Sequence, residues 1–330
     1  MRKSLEFLRP VDLLLTVYLL SLTLILIVFG KNNSGFSSLV FLNLIFILGL
    51  ISFSFLREKL ISNVLGFGLA LFPLIASIYL YKESGQMVHI FYPGWYDNLI
   101  MSFEINLFGV LPNFWLEKFF SPVTTEILMF AYFIYLPMVP FLCIYFYFKV
   151  NPQALDQFLL PLILAYSICF LGFFLFPAAS PRFVLDGGRE LEGFIFRKIM
   201  LFIERNGQFQ GGSFPSAHCA AGTVMIFLSY RFDKKLFAFV CPIIILFFLA
   251  TVYGRYHYFS DVIAGILIGF ASVYLSARLS KNVGATRQFD RLTALTVRPC
   301  SQSLSGVEGS EAKEGVALAE KAQLPKKRAI

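Results

Sequence analysis

Eight stretches of this 330-residue chain run almost free of charge at roughly 11–30, 38–56, 61–81, 125–148, 157–178, 216–230, 236–253 and 260–278. A helix needs about 20 such residues to cross a bilayer core, so each predicts a membrane-spanning helix, the sixth being the shortest. Gly and Pro inside them are compatible with that reading, because neighbouring helices can satisfy the freed backbone groups. The first run follows "MRK" but is too long for a signal-peptide core. No small-x-small cleavage pattern precedes "GKNNSG", so it too reads as a membrane helix.

Two further stretches mix apolar and charged residues at helical spacing. They are "YDNLIMSFEINLFGVLPNFWLEKFF" (Tyr96 to Phe120) and "LEGFIFRKIMLFIE" (Leu191 to Glu204). Both predict helices lying in the membrane interface, with the alternative that they shape a route for lipid into a site. The expected fold is therefore all-α: a polytopic membrane helix bundle of about eight spans with interfacial helices on the outer side. N-terminal spans are expected over 1–91, a second membrane domain over 92–280, and a polar, aperiodic tail 281–330 is expected to be disordered and cytoplasmic.

Composition agrees, with 57% hydrophobic residues, 15% charged and a mean hydropathy of +0.71. Soluble domains hold about one quarter charged residues. The net charge of +8 does not point to nucleic acid, because the basic residues sit in loops and tail rather than along one face. Their distribution instead sets an orientation. Nineteen Lys and Arg fall on the side of the termini and nine on the other, so the termini are expected in the cytoplasm. Four of the five cysteines lie in or beside apolar runs and read as small buried hydrophobes rather than a disulfide or zinc framework.

On this topology three polar stretches face the same, outer side: Arg182 after the fifth span, "GGSFPSAH" entering the sixth, and "GRYHYFSD" between the seventh and eighth. They hold two of the chain's three histidines, His218 and His257; the third, His89, reads as an interior or interfacial residue. Ionisable groups at membrane depth are expensive, so their convergence calls for a function. Gly212 allows close backbone approach, Pro215 suits a first helical turn, and Ser213 or Ser216 can cap it. The N–H groups of such a helix start form an anion site. His257 and Asp261 are four apart and able to touch. A carboxylate on one ring nitrogen fixes the tautomer and frees the other as a nucleophile. His218 stands beside the expected phosphate as an acid, and Arg182 and Arg255 supply forked donors for its oxygens.

The strings "FPAASPR", "GGSFPSAH" and "TVYGRYHYFSDVIAG" resemble the three signature motifs of the type-2 phosphatidic acid phosphatase superfamily. Within it, the chain is similar to the branch of inositol phosphorylceramide synthases and their bacterial relatives, a resemblance to which the stretch from Tyr96 also contributes. The resemblance implies that His257 attacks phosphorus to give a phosphohistidine, with Asp261 orienting it. His218 would protonate the leaving oxygen, Arg182 and Ser216 would hold the phosphate, and no metal or other cofactor would take part. Two positions depart from the superfamily pattern. Leu175 stands seven residues before Arg182 where a lysine is usual, and Thr251 stands six before His257 where an arginine is usual. Arg255 can supply the missing charge.

The expected activity is cleavage or transfer of a phosphate-linked lipid head group at the outer face, with a lipid phosphate or phospholipid as substrate and water or a polar alcohol as acceptor. A phosphatase of polyprenyl or phosphatidic acid type shares every residue named. The rival of another class is a non-catalytic scaffold or carrier. A carrier predicts repeated halves around a midplane site, and no internal repeat is present. A vanadium haloperoxidase shares the motif logic but is a soluble protein.

Overall fold

The computed structural model describes residues 8–30, 35–57, 64–185, 190–207 and 209–282. Met1–Arg278 form one unit and Leu279–Ile330 a second, of which only the end of the last helix is described. The stretch from 283 on, including most of the expected tail, lies outside the described residues. Among the described residues all regular structure is helical: a polytopic helix bundle, as the sequence predicts.

The apolar runs fold as α1 (Pro10–Phe29), α2 (Phe36–Arg57), α3 (Val64–Ala70) and α4 (Phe72–Met87), then α7 (Pro122–Tyr145), α8 (Pro152–Leu175), α11 (Ala217–Phe232), α12 (Lys234–Tyr253) and α13 (Phe259–Asn282). Between them lie α5 (Asp97–Phe108), α6 (Pro112–Leu116), α9 (Pro181–Val184) and α10 (Ile195–Gly207). Local chemistry sets several starts. Ser121 accepts from Thr124 N at 3.1 Å and Asn151 from Ala154 N at 2.7 Å, each just before a proline at the first helical position. The Asn151–Pro152 start places the beginning of the fifth expected span five residues earlier, and its end at Leu175 comes three residues earlier. The third expected span instead continues past 81, because its polar turn has partners: Glu83 accepts from Asn43 Nδ2 on α2 at 2.8 Å.

Among the described residues, seven helical spans are long and apolar enough to cross a membrane, with α3 and α4 together forming one. The sixth expected span, α11, has 16 residues and falls short of that length. It nevertheless joins the two ends of the bundle. At one end Ser216, its N-cap, donates its backbone N–H to Asp261 O at 3.1 Å. At the other end Asp233, its C-cap, accepts from Tyr145 at the end of α7. At about 1.5 Å per residue α11 covers ~24 Å, close to a thin hydrocarbon core.

The pair α5–α6 bends by 62° across Gly109–Leu111. Gly109, at φ +76°, takes the left-handed conformation that ends a helix. Asp97 at the start and Glu117 after α6 both bond to loops at the end of the bundle where α11 begins. The segment therefore returns to the side it came from. α10 is amphipathic, with Phe202 exposed and Met200 buried, and packs on α7. Its first amides, from Phe194 to Arg197, all donate to the Glu126 carboxylate of α7 at 2.6–3.1 Å. That carboxylate does what an N-cap residue ordinarily does.

α13 meets α11 through Gly265 and Gly269. A Cβ at Gly265 would press on Ser216 O, and one at Gly269 would lie 2.6 Å from Ala220 O. Small residues four apart allow such close helix contact, which in a membrane substitutes for a hydrophobic driving force. Gly269→Val is expected to lower stability by about 1–3 kcal/mol, the usual cost of overpacking. Leu267→Val, on the exposed face of the same helix, is expected to leave it nearly unchanged. Unfolding of the purified variants in mixed detergent measures both.

Candidate functional site

The three polar stretches meet at one end of the bundle. "GGSFPSAH" reaches α11 by a turn that packs on α8 at Gly172, where any side chain would strike Pro215. Gly211, at φ +106°, needs the conformational freedom of glycine. Ser216 then caps α11, its Oγ accepting from Cys219 N at 3.3 Å.

His257 lies in the turn between α12 and α13, two residues before Phe259 opens α13, and not on the helix itself. Its Nδ1 is 3.0 Å from Ser213 O and 3.3 Å from Asp261 Oδ2. The Ser213 carbonyl can only accept, and an ionised Asp261 likewise, so Nδ1 carries the proton and in the neutral ring Nε2 keeps its lone pair. Nε2 is 3.1 Å from Ser216 Oγ. Asp261 is fully buried, and its Oδ2 also accepts from Ser213 Oγ at 2.6 Å and Tyr258 N at 2.9 Å. The His218 ring, in the first turn of α11, centres 6.1 Å from that of His257. Gly212, Ser213, His218 and His257 all line one cavity of about 540 Å³. His257, Asp261, His218, Gly212, Ser213 and Ser216 are thus assembled in one place.

Arg182 and Arg255 stand elsewhere. They line an adjoining polar cavity of about 440 Å³, on the other side of Tyr256 and α10. Arg182 Nη2 is 3.0 Å from Glu204 Oε2, and Arg255 pairs with Glu117. Glu204 is buried and also accepts from Arg197 at 3.2 Å and from the Tyr256 hydroxyl. Burial, with the Glu204 carboxylate beside it, raises the Tyr256 phenol well above its ordinary range, so it remains a donor. His89 is exposed, its Nδ1 3.0 Å from Tyr92 O, outside this cluster.

Sequence reasoning left Asp97 and Glu104 without a role and did not single out Asn113, Glu117 or Glu204. Asp97 accepts from Ala179 N at 2.7 Å, Ser180 N at 3.2 Å and Tyr258 Oη at 2.8 Å. Glu104 accepts from Ser260 N at 2.6 Å and Ser260 Oγ at 2.7 Å. Asn113 donates to Val252 O at 2.9 Å and His257 O at 3.1 Å. The α5–α6 segment therefore braces the His257 turn from outside. The brace holds two strained residues: Ser180 at φ +103° and Arg255 at φ +60°. Such conformations cost about 1–3 kcal/mol each and persist where the surroundings fix them. The only advance signal was the set of buried polar residues at helical spacing in an apolar segment.

The family model for the PAP2 superfamily matches residues 99–275. The match covers more than half of the chain, and the chain belongs to that superfamily. It is also similar to a PA-phosphatase related-family protein of Dictyostelium discoideum, at 32% identity over 174 residues, which are 46% of this chain and 31% of that protein. The chain thus spans less than a third of that relative's length. No solved structure matches.

Asp97→Ala would leave two amides and a phenol without their acceptor. The expected loss is about 1–3 kcal/mol, with Tyr258→Phe costing less because it removes one donor and strands none of the amides. Thermal melts of the two variants in the same detergent decide between this bracing role and an idle carboxylate.

Proposed function

We propose that this member of the PAP2 superfamily is a membrane enzyme that breaks the phosphate ester of a lipid through a phosphohistidine at His257. The observation that carries the reading is the His257 imidazole, held at Nδ1 by two acceptors and presenting Nε2 beside the capped start of α11. Superfamily membership supports phosphatase-type chemistry, and the relative's printed name points the same way.

On this reading the Nε2 lone pair attacks phosphorus while the bond from phosphorus to the lipid oxygen breaks. That oxygen takes a proton from His218 in its protonated form. Asp261, together with Ser213 O, stabilises the positive ring that forms, because the Nδ1 proton stays where it is. In the second step water or an alcohol gives its proton to the now neutral His218 and attacks phosphorus. The phosphorus–nitrogen bond breaks, and the electron pair returns to Nε2. Ser216 Oγ and the amides that open α11 face the phosphate oxygens. Arg182 joins them by leaving Glu204, and Arg255 adds positive potential from the next cavity. This needs no metal or other cofactor.

Water as acceptor makes the protein a lipid phosphate phosphatase. A second reading, transfer to a polar alcohol as in the inositol phosphorylceramide synthase-like branch, is favoured by one observation. The polar cavity beside the His257 turn carries both guanidinium and carboxylate groups suited to a polyhydroxy acceptor. The excess of Lys and Arg that the sequence assigns to the side of the termini supports termini in the cytoplasm and a site facing outward.

The test uses purified protein with labelled lipid phosphates and phospholipids, with and without added alcohols. Phosphate release or a new phospholipid is expected from the wild type and neither from His257→Ala; retained turnover in that variant removes His257 from the mechanism. His218→Ala is expected to slow cleavage of a lipid phosphate by about 10²–10⁴, the usual worth of a general acid. An aryl phosphate, whose leaving group needs no proton, should suffer much less. Equal losses on both substrates would show that His218 is not the acid.

A further inference from the structure

The cavity that holds His257 extends well beyond the motifs. It continues between α4 and α7, lined by Leu74, Ser77 and Ile78 on one side and Leu136, Val139 and Pro140 on the other. α4 lies outside the stretch matched by the family. It runs toward the end of the bundle that holds His257, whereas α7 runs away from it, so Leu74 and Pro140 are the deep ends of the groove. From Tyr132, beside His218, to Pro140 is about 12 Å along the helix. Ile78 and Leu136 line the groove and are also 59% and 36% exposed, so it opens sideways between two membrane spans. It therefore has a polar end at His257, an apolar length and a lateral mouth.

We infer that this groove holds the hydrocarbon chain of the substrate, which enters sideways from the bilayer, and that α4 selects which chains fit. The inference rests on the lipid phosphate reading above and names the part of the substrate that α4 would contact. A phosphate fixed at His257 sets the register of the chain, so its length and shape are read against Leu74, Ser77 and Ile78. Transfer from bilayer to groove gains little hydrophobic free energy, because lipid tails are already apolar. The groove must then act by shape, rejecting chains that do not pack.

Two measurements test it. A lipid phosphate with a photoreactive diazirine in its chain is irradiated with wild-type protein and with His257→Ala, and the labelled peptides are mapped. Label is expected on α4 and α7, removed by excess unlabelled lipid phosphate. Ser77→Phe and, at the exposed mouth, Leu136→Trp are then assayed on lipid phosphates that differ only in chain length. The ratio of long-chain to short-chain kcat/KM is expected to fall about tenfold or more, the range over which an apolar pocket discriminates. Ile75→Phe, exposed on another face of α4, should leave the ratio in place. Label elsewhere, or an unchanged ratio in both groove variants, overturns the inference. Label on α4 and α7 without turnover of any lipid by the wild type sinks the enzymatic reading and leaves the groove standing. Turnover without that label does the reverse.

Discussion

A single buried carboxylate fixes the geometry of this end of the molecule. Asp261 receives the Ser213 hydroxyl, the Tyr258 amide and the His257 ring at one oxygen, while its backbone carbonyl receives the Ser216 amide. One residue thus joins the turn before α11 to the turn before α13. Removed from water, the carboxylate is tolerable only because its donors are in place, and those donors have their positions only because it is there. The contact of Gly265 with Ser216 O brings the two helix starts within reach, so helix packing and site assembly are one constraint.

Around that centre lies a second layer of carboxylates and one amide, drawn from a segment that does not cross the bundle. Asp97, Glu104, Asn113 and Glu117 each reach a different part of the Val252–Ser260 turn or the Ala179–Ser180 loop. Irregular backbone at this depth carries amide and carbonyl groups that lipid cannot satisfy. The α5–α6 segment supplies those partners, which explains why it bends back instead of spanning. The strained φ angles of Ser180 and Arg255 are held in the same way.

Much of this was legible in the sequence, for identifiable reasons. The spans could be read because apolar length is a local property. His218, His257 and Asp261 stood out because ionisable residues are scarce in such a chain, and the positive charge pattern placed them at one end. The partners of Arg182 and Arg255 were not legible. Glu204 and Glu117 are 22 and 138 residues away from them, and a helical pattern reports which face a residue occupies but not what it meets. The groove was hidden for the same reason: Ser77 and Ile78 look like ordinary members of a span until α7 stands opposite them.

The pairing of Arg182 with Glu204 bears on how a phosphate clamp can wait without its ligand. An unpaired guanidinium beside a membrane would be costly, and a buried carboxylate left alone would be costlier. Glu204 has three partners, so the departure of Arg182 would leave it with Arg197 and Tyr256. A phosphate brings more than one negative charge and three oxygens, against the single charge of Glu204, and so can compete for Arg182. On the proposed reading the arginine is stored against a carboxylate that tolerates its loss, and Leu175 marks where a further fixed charge is dispensed with. Fewer permanent cations at the site mean weaker retention of free phosphate after the ester is broken, which suits an enzyme that must release its product from a largely apolar cavity.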